Sequence, residues 1–199
     1  MDVRKIALIV TLAIPCLFNL DPAGAQVQHD LCLSNTTASL TAVVPGRSIG
    51  SLRIGMSEAD AAGILSGATQ RVPGKSGWVE YFYGEPPLFS SARVLVDPSG
   101  HVAYAESLAV ACQTSDGIRG MISTERQVRR VYGRPSVRPD LDLYTEDTYT
   151  EYWLYNDRGL LLRMMKGAVT NDVVWIGVFA PHEYCNLPYA DCDQFTPAP

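Results

Sequence analysis

Several groups of residues in this chain have types and spacings that chemistry could use. Gly46-Arg47-Ser48-Ile49-Gly50 fits G-x-S-x-G, the turn that lifts a serine nucleophile out of a sheet. That device needs a strand directly before the serine and a helix directly after it. Here Pro45 interrupts the preceding strand and extended pattern continues through Ile54, so the segment reads as a Gly/Pro loop. His182-x-x-Cys185 with Cys192 supplies three zinc-type ligands but no fourth. His29, His101 and His182 stand in no spacing that suits a triad or an H-E-x-x-H helix. Asp140, Asp142, Glu146, Asp147 and Glu151 are acidic without the 12-residue calcium loop and its central glycine, and read as a solvated loop. A small envelope hydrolase acting on carbohydrate would use such carboxylates, provided two of them face each other at roughly 5–9.5 Å. No catalytic residue, metal or cofactor is assigned, and the chain reads as a non-enzyme.

The cysteines point to oxidation rather than to catalysis. Of five, Cys16 falls in the leader described below, leaving Cys32, Cys112, Cys185 and Cys192. Four cysteines in an exported chain read as two disulfides, with three possible pairings. Cys185–Cys192 and Cys32–Cys112 are favoured, because Pro188 and Asp191 turn the short segment between the last two cysteines.

The aromatic residues carry the most information. In Trp78-Val79-Glu80-Tyr81-Phe82-Tyr83, period two sets Trp78, Glu80 and Phe82 against Val79, Tyr81 and Tyr83. Further on, Glu151, Trp153 and Tyr155 oppose Tyr152 and Leu154. A sheet covered by a helix on one face can expose rings on the other, where Tyr and Trp bury area at little entropic cost. Tyr81, Tyr83, Tyr152 and Tyr155 are therefore the expected protein-binding residues, against the alternative that they fill the core.

The elements that must position these residues follow from pattern. Arg4 and Lys5, the apolar run 6–20 and Ala23-Gly24-Ala25 form a cleavable signal peptide over residues 1–25. A polar lead-in, 26–48, contains the acceptor pattern Asn35-Thr36-Thr37. Ser57 with Asp60, then Ala61, Ile64, Leu65 and Ala68, predict a helix. Strand patterns follow at 78–83, 93–96 and 101–105, with the last two joined by Asp97-Pro98-Ser99-Gly100. A second set repeats the order. The capping pair Thr124 and Gln127 opens a helix ending at Gly133, and strands follow at 149–155, 160–164 and 173–179. At one common offset Arg53 matches Arg119, Ser57 matches Ser123 and Gly67 matches Gly133.

The expected fold is α+β, as two tandem helix-plus-antiparallel-meander units over 49–112 and 113–181 that can join as one concave sheet. Residues 182–199 form a disulfide-closed tail. A net charge of -5, with 16 basic against 21 acidic residues, argues against a nucleic-acid binder. The basic helix residues Arg126, Arg129, Arg130 and Arg134 are too few to change that. No apolar run reaches the ~20 residues of a membrane span, so no stable insertion is expected after cleavage.

Gly117-Ile118-Arg119-Gly120-Met121-Ile122-Ser123, leading to a helix that ends Tyr132-Gly133-Arg134-Pro135, resembles an element of small exported α+β proteins. These are the tandem-repeat β-lactamase inhibitory proteins and the outer-membrane assembly lipoproteins. The resemblance spans roughly 49–180. It implies two repeats side by side, gripping an enzyme on a concave surface, and it transfers no contact residue. The combined expectation is a bacterial periplasmic or secreted protein-binding module, an inhibitor of an envelope or extracellular enzyme, with another protein as its partner. An envelope-assembly factor is a further alternative.

Processing can be checked directly. N-terminal sequencing of the exported protein is expected to begin at Gln26, and thiol titration of the denatured, unreduced protein to find no free cysteine. A start at Met1, or two free thiols, would contradict these readings.

Overall fold

Strands dominate this chain, and the reason lies in how little apolar surface its helices offer. The computed structural model describes residues 31–32, 40–85, 89–140, 148–167 and 171–198. The signal peptide, His29, the Asn35-Thr36-Thr37 pattern and Asp142, Glu146 and Asp147 lie outside the described residues.

A four-stranded sheet is built from β1 (Thr41–Val44), β2 (Ser48–Ile49), β3 (Leu52–Arg53) and β8 (Cys112–Thr114), in the order β3-β2-β1-β8. The larger sheet contains β4 (Gln70–Pro73), β5 (Val79–Glu85), β6 (Phe89–Val96), β7 (Val102–Leu108), β9 (Ser136–Asp140), β10 (Thr148–Tyr155), β11 (Leu160–Gly167), β12 (Asn171–Phe179) and β13 (Thr196–Pro197). Its order is β13-β9-β10-β11-β12-β7-β6-β5-β4. The antiparallel runs β4–β7 and β9–β12 meet where β12 pairs with β7, from Trp175 opposite Leu108 to Phe179 opposite Tyr104.

This corrects the expected α+β class with its two helix-plus-meander units. Among the described residues there are only two short α-helices, α1 (Ala62–Leu65) and α2 (Glu125–Tyr132), beside thirteen strands in two sheets. The start devices form as read. Asp60 N–H donates to Ser57 Oγ at 3.1 Å, and Thr124 N–H donates to Gln127 Oε1 at 2.8 Å. Yet α1 begins only at Ala62, and Gly63, Ser66 and Gly67 are poor helix formers that leave Ile64 and Leu65 as its buried contribution. Helices this short depend on docking, since isolated ones are marginal in water. The meanders, by contrast, supply continuous backbone pairing and most of the core.

Both faces of the nine-stranded sheet are covered. On one, Tyr81, Tyr83, Val94, Trp153, Leu160, Leu162 and Ile176 pack with Val43, Ile49 and Leu52 of the small sheet and with Ile64, Leu65, Val128 and Tyr132 of the helices. On the other, Leu95, Tyr104, Leu154, Leu161 and Phe179 pack beneath Tyr184, with Leu187 and Phe195 of the tail against them. Strand periodicity explains the division, because Leu160 and Leu162 point one way and Leu161 the other.

The disulfides form as Cys32–Cys112 and Cys185–Cys192, with Cα separations of 5.2 and 5.7 Å. They fit a chain that folds in an oxidising compartment outside the cytoplasm. No described helix is long and apolar enough to cross a membrane. The Cys32–Cys112 bridge seats Leu31, fully buried, where its carbonyl accepts a bond from Ser107 Oγ. Near the same bridge the 117–123 loop lies against residues 109–111. A Cβ on Gly120 would stand 1.7 Å from the Ala109 carbonyl oxygen, so only glycine fits.

Two outcomes follow for stability. Cys32→Ala with Cys112→Ala, which opens a cross-link of sequence separation 80, is expected to lower unfolding free energy by about 4.5 kcal/mol on loop-entropy grounds. The double variant of Cys185 and Cys192 should cost only about 2.5 kcal/mol. Denaturant titration measures both; equal costs would contradict the loop-length argument.

Candidate functional site

On the tail-side face of the large sheet, strand register brings charged and aromatic side chains together. Arg93 of β6 stands directly opposite Glu106 of β7, and its Nε lies 2.9 Å from the Glu106 carboxylate. Glu80 of β5, on the same face and 6% exposed, lies 3.9 Å from Arg93. Tyr104, two residues before Glu106, donates its hydroxyl to that carboxylate at 2.6 Å. Space for the hydroxyl comes from the adjoining strand, where Gly177 has no side chain. A Cβ there would approach Tyr104 Oη to 2.5 Å.

Tyr152 of β10 occupies the centre of the neighbouring strands. It stands opposite Arg138 on β9 and Arg163 on β11, and both guanidinium groups lie over its ring, at 4.6 and 5.4 Å. Directly paired cross-strand residues are close enough for such cation–π contact. Arg138 also reaches the tail, with Nη1 3.1 Å from Asp191 and the guanidinium 5.7 Å from the Phe195 ring. Its Nε is a buried N–H without an acceptor among the described residues. Arg93, Tyr104, Glu106, Arg138, Tyr152, Tyr184 and Tyr189 enclose a cavity of about 90 Å³ that opens to solvent. Tyr189 is 44% exposed at this site.

The four tyrosines singled out in the sequence separate accordingly. Tyr152 belongs to the cavity, whereas Tyr81, Tyr83 and Tyr155 are 6%, 2% and 3% exposed and lie in the core. Their expected place on an open binding face is therefore corrected. Tyr83 donates its hydroxyl to the Ile64 carbonyl of α1 at 3.0 Å. Tyr155 donates to the Gly133 carbonyl at the end of α2 at 3.4 Å, its ring 5.3 Å from that of Tyr132. Tyr81 donates to Glu58 and accepts from Arg71 Nε at 3.0 Å. These rings tie the helices and the 58–71 segment to the sheet. Of the four, only Tyr152 lies on the face away from the helices, and the tail closes that face.

Other candidates find structural places. Ser48 lies in β2, paired antiparallel with β1 and β3, and another strand rather than the helix of a nucleophile elbow follows it. Cys185 and Cys192 are spent on each other, and no group of three metal-type ligands occurs among the described residues. Glu151 accepts from Trp153 Nε1 at 2.9 Å and pairs with Lys166 at 3.6 Å. Asp140 is in β9, its side chain outside the described set. Ser99 Oγ lies 2.7 Å from Asp97 and 3.1 Å from His101 Nδ1, within the turn joining β6 to β7. Sequence pattern alone does not single out Arg93, Arg138 and Arg163 as site residues. Their signal is a single arginine at a period-two position among apolar strand residues, as in Arg93-Val94-Leu95-Val96.

No protein-family model matches this chain, and no curated protein does. Among solved structures, a cysteine-rich secretory protein from Staphylococcus aureus superposes with a TM-score of 0.45 at 8% identity, covering 80% of this chain and 55% of that one. This chain thus spans little more than half the length of that protein. A DUF4309 family protein from Bacillus subtilis gives 0.38 at 12% identity, covering 80% and 99% of the two chains.

Burial of the site's phenols makes stability depend on alkaline pH. Burial pushes Tyr184 up to about 12, partly offset by Arg138, and also raises Tyr104 well above the ordinary phenol value. The folded protein therefore holds the Tyr184 proton more tightly than the unfolded chain, where tyrosine ionises near 10. That contribution is intact below pH about 10 and is lost as pH rises through about 12, on the order of 2–3 kcal/mol in all. Tyr184→Phe is expected to flatten this part of the loss. Denaturation midpoints measured at pH 8, 10 and 11 test it, and an unchanged profile would contradict the assignment.

Proposed function

We propose that this chain is an exported protein-binding module, periplasmic or secreted, whose interface centres on Tyr152, Tyr189 and Arg138. The carrying observation is the convergence of these residue types around one small opening. Tyr and Arg are the side chains most enriched among interface hot spots, and rigid rings lose little entropy on contact. Size separates the readings. Small-molecule sites run to about 300–1,000 Å³. A hollow of about 90 Å³ suits one inserted side chain of a larger partner. The bound partner would cover the exposed Tyr189 ring, and an enzyme held there across its cleft would be inhibited.

A second reading places contact on Val110, Met121 and Ile122, which are 49%, 47% and 57% exposed. Their two segments lie side by side through Gly120 and Ala109.

Capture from envelope extract with the mature chain, compared across variants, decides between the surfaces. Tyr189→Ala is expected to change stability by no more than about 0.5 kcal/mol, a melting shift of roughly 1–2 °C. The same change should weaken capture about thirtyfold, or 2 kcal/mol. Tyr83→Ala should instead cost about 3–5 kcal/mol of folding. A partner retained by Tyr189→Ala and Tyr152→Ala but lost in Met121→Ser/Ile122→Ser would move the interface to the second patch. A partner retained by all of them would overturn both readings.

A further inference from the structure

A larger groove adjoins the tyrosine-arginine cavity at Leu187 and runs between the turn at 97–101 and the tail segment 180–187. It has a volume of about 410 Å³, within the range of small-ligand sites. Its apolar lining includes Trp78, which is half-buried, with Pro98, Val102 and Leu187. Asp97 and His101 supply polar groups from one wall, and Glu183 and Asn186 from the other. Ile54, Gly55 and His101 also line a second hollow of about 390 Å³, bounded further by Arg53, Ser57 and Asp60.

We propose that this groove binds a neutral saccharide chain. A sugar ring presents an apolar C–H face and a periphery of hydroxyl groups, each both donor and acceptor. The lining offers the matching halves, an indole with apolar neighbours and a rim of carboxylates and an amide. The rim is pre-set by its own bonds. Asp97 Oδ1 accepts from Ser99 N–H at 2.9 Å, Ser99 Oγ at 2.7 Å and His101 N–H at 3.0 Å. All three fall on one oxygen, which leaves Oδ2 for a ligand hydroxyl. Asn186 Nδ2 donates to Glu183 Oε2, leaving Asn186 Oδ1 and Glu183 Oε1 as a fixed pair of acceptors.

Charge and desolvation narrow the ligand. Two carboxylates and no Lys or Arg line the larger hollow among the described residues, which disfavours phosphates, nucleotides and acidic sugars. A purely apolar ligand would desolvate the rim groups without replacing their hydrogen bonds, which disfavours it. Two hollows that share lining residues suit a chain of rings better than a single one.

The test titrates the full chain with neutral tetrasaccharides, one of β-linked hexose and one of N-acetylhexosamine, beside a uronic-acid tetramer. Calorimetry and tryptophan fluorescence give the readout, independent of any catalysis. Saturable binding of at least one neutral chain is expected, weakened at least tenfold, about 1.4 kcal/mol, by Trp78→Ala. Trp78→Phe should retain most of the affinity. Trp78 also packs against the tail-side core, so Asn186→Ala, at an exposed position, serves as the second variant and should weaken binding without shifting the melting curve. Glu183→Gln should reduce discrimination against the uronic-acid chain. The proposal is overturned if no neutral chain binds at up to about 10 mM, if Trp78→Ala and Asn186→Ala leave binding unchanged, or if the uronic-acid chain binds the unmodified protein as tightly.

Discussion

The ladder between β7 and β12 is the interaction on which the rest of the structure depends. It joins two antiparallel meanders that would otherwise each present an open edge, a hazard for pairing with other chains. Once joined, they form a sheet too broad to leave bare on either side. The four-stranded sheet, α1 and α2 cover one face, and the disulfide-closed tail covers the other. Each covering element is small and owes its conformation to docking. This is why Tyr83 and Tyr155, whose hydroxyls reach the ends of the helices, are buried connectors and not surface residues.

The second face carries an unusual burden for a sheet interior. Arg93 with Glu80 and Glu106, and Arg138 with Asp191, bring charge under or beside the tail. Removing such ions from water is costly, and their attraction repays the cost only with good geometry. An apolar replacement would hold the tail at least as well on energetic grounds alone. Stability alone does not account for such a network beside an open cavity, where two guanidinium groups lie over the Tyr152 ring. Directional bonds also set the tail's position more narrowly than apolar contact would.

The tail has a double role in this architecture. Tyr184 and Phe195 close the core, Tyr189 and Ala190 border the tyrosine-arginine cavity, and Glu183 and Asn186 wall the Trp78 groove. Leu187 lines both openings. The Cys185–Cys192 bridge holds this stretch as a compact loop, and β13 secures its end by pairing with β9. Both openings therefore share one short covalently closed support.

Local chemistry was legible in the sequence wherever it depended on neighbours in the chain. The Thr124–Gln127 capping box, the stop at Gly133, the Asp97–Gly100 turn, the strand alternation and both disulfide pairings are present as read. These are set by spacing, turn propensity and the short reach of a side chain. The fold class was not legible, because propensity marks where a helix can begin but not whether it will have enough apolar surface to count against two merged meanders. Nor could period two decide which face of β5 or β10 would be covered. It separates Tyr81 from Glu80 and Tyr152 from Trp153, and only the return of the tail over the sheet determines that both sides are interior. The cluster of Arg93, Arg138 and Arg163 around acidic and aromatic partners has the same origin. It arises from cross-strand register between segments distant in sequence, which tertiary structure alone decides.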